Sequence, residues 1–221
     1  EGLARAGIGF FRLVDGDDID VTNINRQIHA LTGTVGQNKA EAMKERIFAI
    51  HPEAEVEAVA AFYRPEAAGQ FLEGGLDYVV DAVDMVTAKI SLVEECQRRD
   101  LPLISSMGAG NKLDPAQFQV ADIYSTRVCP LAKILRRELS ARGVTRLKVV
   151  YSPEPPAKAA GAPAAETRPA SAHGGAQGML SDGGRKRTLG SVSFVPSVAG
   201  LILAGEVVRD LIGREKGEAK A

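Results

Sequence analysis

Phe10-Phe11-Arg12-Leu13-Val14-Asp15-Gly16-Asp17 is an apolar run that closes on two acids separated by one glycine. Such a run reads as a buried parallel strand, because a strand covered on both faces need not alternate apolar with polar residues. An acid at its carboxyl end stands where open α/β sheets hold their ligands. Working outward, apolar segments of strand length recur at 56–62, 78–81 and 102–106. Segments with helical character lie between them at 39–50, 65–72 and 86–99. Strands alternating with helices predict an α/β fold, a Rossmann-like, mostly parallel sheet with helices on both faces. Beyond these, 118–124 predicts an antiparallel or edge strand, 131–142 a helix, 147–151 a strand and 197–212 a last helix.

Residues 1–6 read as the end of a helix, with Gly7 and Gly9 as its stop. A mononucleotide-binding unit ordinarily places a strand and a Gly-rich turn ahead of that helix. The expectation is therefore an N-terminally truncated piece, with 1–151 a nucleotide-binding domain lacking its first strand and Gly-rich loop. Residues 152–190, rich in Pro, Ala, Gly and Ser, bury too little apolar surface to offset ordering entropy and are expected to form a mobile loop. Residues 191–221 are expected to supply a C-terminal strand and helix that complete the same domain.

The chain has 221 residues and a net charge of −1, so no large basic excess advertises nucleic acid. Its 2 cysteines, Cys96 and Cys129, make no disulfide framework and no Cys-x-x-Cys zinc pair, which fits a reducing cytoplasm. The most apolar stretch, 194–212, is broken by Pro196, Glu206, Arg209 and Asp210 and falls short of a membrane span.

Four clusters carry chemistry. Asp15 ends its strand where a ribose would sit, and Asp17 is either a helper through water or metal or a solvated turn acid. Arg26, among Asn23, Asn25 and Gln27, offers a planar fork for phosphate oxygens. Lys39 lies at a helix start, where a cation makes sense with a phosphate beside it. Asp81 and Asp84 flank a strand end and suit Mg²⁺ bound to triphosphate, with Asp84 favoured as ligand and Asp81 behind it; helix capping is the alternative. Cys129 reads more readily as a buried small hydrophobe than as a nucleophile, and Cys96 as core. His29, His51 and His173 form no metal triad or catalytic order. The stripe Lys133, Arg136, Arg137, Arg142 and Arg146 reads equally as a solvated face or an RNA contact.

In its Leu-Val-Asp-Gly-Asp (13–17), Asn-Ile-Asn-Arg-Gln (23–27), Val-Gly-Gln-Asn-Lys (35–39) and Asp-Ala-Val-Asp (81–84) clusters the chain resembles the ubiquitin-activating-enzyme-like superfamily. Asn-Arg-Gln-Ile-His-Ala-Leu (25–31), Gly-Ala-Gly (108–110) before Leu-Asp-Pro (113–115), Cys-Pro-Leu-Ala-Lys (129–133) and Gly-Ser-Val-Ser-Phe-Val-Pro-Ser (190–197) are similar to its tRNA threonylcarbamoyladenosine dehydratase branch. That resemblance implies ATP and Mg²⁺ as cofactors and a modified tRNA as substrate, whose carboxylate is adenylated and then cyclised with loss of AMP. It implies Asp15 on the ribose, Arg26 and Lys39 on phosphates with Asn23 and Gln27 in support, and Asp84 on the metal. It further implies a homodimer, with a sulfur-transfer protein as an open partner. The alternatives are an adenylating enzyme for a sulfur-carrier protein, a non-catalytic nucleotide-binding domain and, more weakly, an NAD-dependent oxidoreductase.

Overall fold

The computed structural model describes residues 1–157 and 190–218. Most of the loop expected over 152–190 thus lies outside the described residues. The elements run α1 (Gly2–Arg5), β1 (Phe10–Val14), α2 (Lys39–Ile50), β2 (Glu55–Val59), α3 (Ala68–Phe71), β3 (Val79–Asp81), α4 (Val86–Arg98), β4 (Leu103–Ser106), β5 (Gln119–Asp122), α5 (Pro130–Ala141), β6 (Lys148–Tyr151) and α6 (Phe194–Glu218), with short 3₁₀ turns between.

The α/β class and the parallel pairing agree with the sequence reading, but the expected single sheet comes in two pieces. β1 pairs in parallel with β2, and a separate four-stranded sheet has the order β3-β4-β6-β5, parallel except for β5. β1 and β3 each have one edge without a strand partner among the described residues. Between those edges lies a cavity of about 890 Å³, lined along β1 by Phe10 to Val14 and along β3 by Leu76 to Val80.

Strand parity distributes the helices. Val149 and Tyr151 point into a cluster with Ile90, Val93, Leu135 and Leu139 of α4 and α5. Val150, one residue out of phase, packs with Ile104 of β4 and with Val195, Ala199, Leu203 and Val207 of α6. The α6 residues recur every four positions, one stripe of an α-helix. Helices therefore cover both faces of the four-stranded sheet, as expected.

Three segments differ from the sequence reading. The strand expected over 56–62 begins at Glu55 and stops at Val59. The helix expected over 65–72 is a 3₁₀ turn at Pro65–Ala67 followed by the four-residue α3. Among the described residues, 190–193, ahead of α6, form no strand. The Gly190 N–H donates to Asn111 Oδ1 and its carbonyl accepts from the Asn111 N–H, while Ser191 O accepts from Asn25 Nδ2, so side chains and a turn take the groups a ladder would use.

Candidate active site

The carboxyl ends of β1, β3 and β4 form one rim. After Val14 the chain must turn sharply, and Gly16 permits it: a Cβ there would lie 2.8 Å from the Phe62 backbone nitrogen. The Asp17 N–H donates to Asp15 Oδ1 at 2.9 Å, folding the two acids into one turn.

Asn38 joins that turn to α2. As N-cap it accepts from the Ala40 and Glu41 N–H groups, and its Nδ2 donates to Asp15 O at 3.2 Å and Asp17 O at 3.1 Å. The Lys39 N–H donates to Asp17 O, and the Ile19 N–H to Gln37 O, closing the seam. Lys39 Nζ consequently meets Asp17 Oδ2 at 2.8 Å, with the lysine side chain 12% exposed. Asp15, Lys39, Ala40 and His29 share one wall of the β1–β3 cavity.

The Arg26 loop is held from within. Asp20 and Asn23 form a reciprocal capping box, and Asn23 O accepts from the Arg26 and Gln27 N–H groups. Arg26 Nη1 donates to Thr22 O at 2.8 Å and Asn25 Oδ1 at 2.9 Å. No other bond of its guanidinium is formed among the described residues, which leaves the outer part of the fork available. Asn23 is buried and Asn25 ties Arg26 to Ser191. Both amides thus brace the Arg26 loop. Gln27 differs: its Oε1 is buried and has no hydrogen-bond partner among the described residues.

Asp81 is turned into the protein, behind Asp84 as the sequence reading favoured. It is 1% exposed, and its Oδ2 accepts from Lys89 Nζ at 2.9 Å and Ser105 Oγ at 2.6 Å. Its Oδ1 accepts from the Val83 N–H. Lys89 Nζ further donates to Ser106 O at 2.9 Å, so the pair binds the ends of β3, β4 and α4 together. These bonds satisfy the buried carboxylate within the protein.

Asp84 stays open to solvent at the rim. Desolvation by surrounding protein pushes its carboxyl above the usual range, opposed by the positive charges of Lys89, Arg26 and Lys39. Asp84 therefore lies within reach of the fields of Arg26 and Lys39. Asp15 and Asp17 follow β1, Asp84 follows β3, and Lys39 opens α2 in contact with Asp17. Among the described residues no group of three or more His, Cys, Asp or Glu side chains is placed to hold a metal. One open carboxylate does fit the other common mode, in which phosphate oxygens and water complete the Mg²⁺ shell.

Sequence reasoning missed Asn38 and Lys89. The N-cap preference for asparagine just before a helical run could have found Asn38. Lys89 lies on the same buried side of α4 as Val93 and Cys96, where a lysine needs a partner, but nothing local names Asp81. Both cysteines are buried, as the plainer reading had it. Three of the five stripe cations are engaged: Arg136 with Thr126, Arg137 with Glu138, and Arg142 with Glu138 and Glu94.

The chain matches the ThiF family over residues 1–221. It belongs to the ThiF family. It is 47% identical over 220 residues to the tRNA threonylcarbamoyladenosine dehydratase of Bacillus subtilis, covering 96% of this chain and 81% of that protein. It is 48% identical over 141 residues to the Escherichia coli protein of that name, 64% of this chain and 53% of that one. The crystal structure of the E. coli tRNA N6-threonylcarbamoyladenosine dehydratase in complex with ATP superposes with a TM-score of 0.79 at 32% identity, covering 97% of this chain and 82% of that chain. The α/β fold is thus that of a ThiF-family enzyme, and the resemblance drawn from the four clusters is borne out. Among the described residues no helix is long and apolar enough to cross a membrane.

Proposed function

We propose that this ThiF-family chain adenylates the carboxylate of a threonylcarbamoyl group on a tRNA adenosine and cyclises it with net loss of water. A carboxylate is a poor electrophile, and joining its oxygen to AMP supplies a leaving group. In the first half the carboxylate oxygen attacks the α-phosphorus of ATP and pyrophosphate leaves. In the second a nucleophile within the same modified side chain attacks the acyl carbon, loses its proton and expels AMP.

Each rim residue has a chemical part in this. Asp15 accepts from ribose hydroxyls. Arg26 offers its outer guanidinium to phosphate oxygens, and Lys39 exchanges Asp17 for the same negative charge, both opposing charge that builds on the phosphates. Asp84 would hold Mg²⁺, which supplies Lewis-acid stabilisation of the triphosphate when bound. Gln27 presents an acceptor, while Asp81, Asn23 and Asn25 set the positions of the others. The observation that supports this reading is the seam in which Asn38 ties Asp15 to the start of α2 and Lys39 meets Asp17 at the carboxyl end of β1, with Asp84 acted on by the charges of Arg26 and Lys39.

The same reading takes tRNA as the macromolecular substrate, a homodimer as the working form and the cytoplasm as its place, with a sulfur-transfer protein as accessory partner. Exposed apolar side chains on α6, Leu201 at 62% and Phe194 at 51%, support a covered dimer surface. The test is ATP–pyrophosphate exchange with purified protein and tRNA carrying threonylcarbamoyladenosine, followed by nucleoside mass analysis. Exchange that requires the modified tRNA, with a product 18 Da lighter by the loss of about one water, is the expected result. Exchange driven only by a sulfur-carrier protein would replace this function with carrier activation.

A further inference from the structure

The loop after β4 holds a residue that no step of the proposed mechanism uses. Asn111 has φ 56°, the left-handed region that asparagine and glycine tolerate and most residues avoid. In that conformation its backbone and its side chain grip the same residue. The Asn111 N–H donates to Gly190 O at 2.8 Å, and Asn111 Oδ1 accepts from the Gly190 N–H at 2.8 Å. The loop itself is anchored on the chain that leaves β6. The Glu154 carboxylate accepts from the Leu113 N–H at 2.9 Å and the Asp114 N–H at 3.2 Å. Lys112, 3% exposed, donates from Nζ to Ser152 O and Glu154 O. Asn111 is thus fixed to the carboxyl ends of β4 and β6, and it passes that fix to Gly190.

From Gly190 a relay leads to Arg26. Ser191, the next residue, accepts at its carbonyl from Asn25 Nδ2 at 2.9 Å. Asn25 Oδ1 in turn accepts from Arg26 Nη1 at 2.9 Å. Ser191 O is the one group among the described residues that aims the Asn25 amide from outside its own loop. The guanidinium has one other partner, Thr22 O, which takes the same Nη1. An arginine fork binds phosphate through its geometry as well as its charge, so a fork left to swing keeps the charge and loses the preformed contact.

We infer that Asn111 is a positioning residue for Arg26, acting through Gly190, Ser191 and Asn25 to hold the guanidinium in the orientation that meets phosphate. This rests on the ATP reading given above and adds a residue to it.

The test is a double-mutant cycle on ATP affinity, read by calorimetry, with Asn111→Gly and Arg26→Ala. Glycine accepts the left-handed backbone and removes the Oδ1 contact. Asn111→Gly should weaken ATP binding about fivefold when Arg26 is present and less than about twofold when it is already absent. Asn111→Asp, which keeps an acceptor at Oδ1 and tolerates the same φ, should bind ATP within about threefold of wild type. An equal loss in both backgrounds would make Asn111 a brace of the fold alone and overturn the assignment, as would no loss in either. If Asn111→Gly does not fold, Asn111→Ser, whose hydroxyl stops short of the Gly190 N–H, is read by the same ratio. Wild-type protein that binds no ATP, or Arg26→Ala that binds it as wild type does, would sink the ATP reading and this inference with it. ATP bound through Arg26 without coupling to Asn111 sinks the inference alone.

Discussion

Lys39 and Asp17 are joined across 2.8 Å beyond the carboxyl end of β1, by side chains that start from opposite sides of one backbone seam. In the proposed reaction, phosphate oxygens would compete with Asp17 for the Lys39 ammonium. The pair is partly solvated, so breaking it changes stability little, whereas a cation lost from beside the transferring phosphorus is costly to the reaction.

Lys39→Met should therefore reduce ATP–pyrophosphate exchange by about a hundredfold or more, with a melting temperature within about 3 °C of wild type. Asp17→Asn should reduce it by less than about tenfold, since the lysine remains. Initial rates and thermal melts on both variants check this; near-normal exchange by Lys39→Met would remove the lysine from the phosphate site.

The Asp81–Lys89 pair predicts the opposite balance. Lys89→Met leaves a buried carboxylate without its cation and should cost about 3–5 kcal/mol of stability. Asp81→Leu combined with Lys89→Met should recover most of that loss, because a buried ion pair replaced by apolar side chains is often neutral. Urea unfolding of the single and double variants decides it. A stable single variant with impaired ATP binding would instead return Asp81 to the nucleotide.

Burial pushes the Cys96 thiol up to about 12, with the negative charges of Asp81 and Glu95 adding to the effect. At pH 8 the thiolate fraction is negligible, and Cys129 is only 4% exposed. Ellman's reagent should titrate neither cysteine of the folded protein within an hour and both after unfolding in urea. Rapid modification of one thiol at pH 8 would show a reactive cysteine where the packing gives none.

His29 predicts a pH effect whose sign follows from burial. Desolvation lowers the folded-state value below the ordinary 6.5. Above pH 6.5 the imidazole is neutral in both states and contributes nothing. As pH falls below 6.5 the unfolded chain takes up a proton that the folded one refuses. Stability is therefore lost, by at most about 1.4 kcal/mol per pH unit, until the folded value is passed. The melting temperature of wild type relative to His29→Phe should fall between pH 7 and pH 5.5. A constant difference would mean that the ring protonates freely in the folded protein.

Much of this was legible in the chain. The run 10–17, the helical spacing of 39–50 and the strand ends near 81 and 106 signal their elements locally, and the fold follows from their alternation. The placement of Asp15, Lys39 and Asp84 was legible because acids and cations stand beside strand ends and a helix start. The roles of Asn23, Asn25 and Asp81 were not, because a polar residue near a site reads the same whether it faces ligand or braces a neighbour. Asn25 is decided by Ser191, far along the chain, and Asp81 by Lys89 and Ser105. The break between β1 and β3 was equally hidden, since strand pairing is a long-range property that each strand's own pattern does not specify.

Pyrophosphate exchange dependent on threonylcarbamoyladenosine-bearing tRNA, measured for wild type, Arg26→Ala and Asp84→Ala, tests the shared rim most directly. The expected result is robust exchange in wild type and a loss of at least about a hundredfold in each variant, with unchanged circular dichroism and melting. Exchange at the wild-type rate in either folded variant would contradict it.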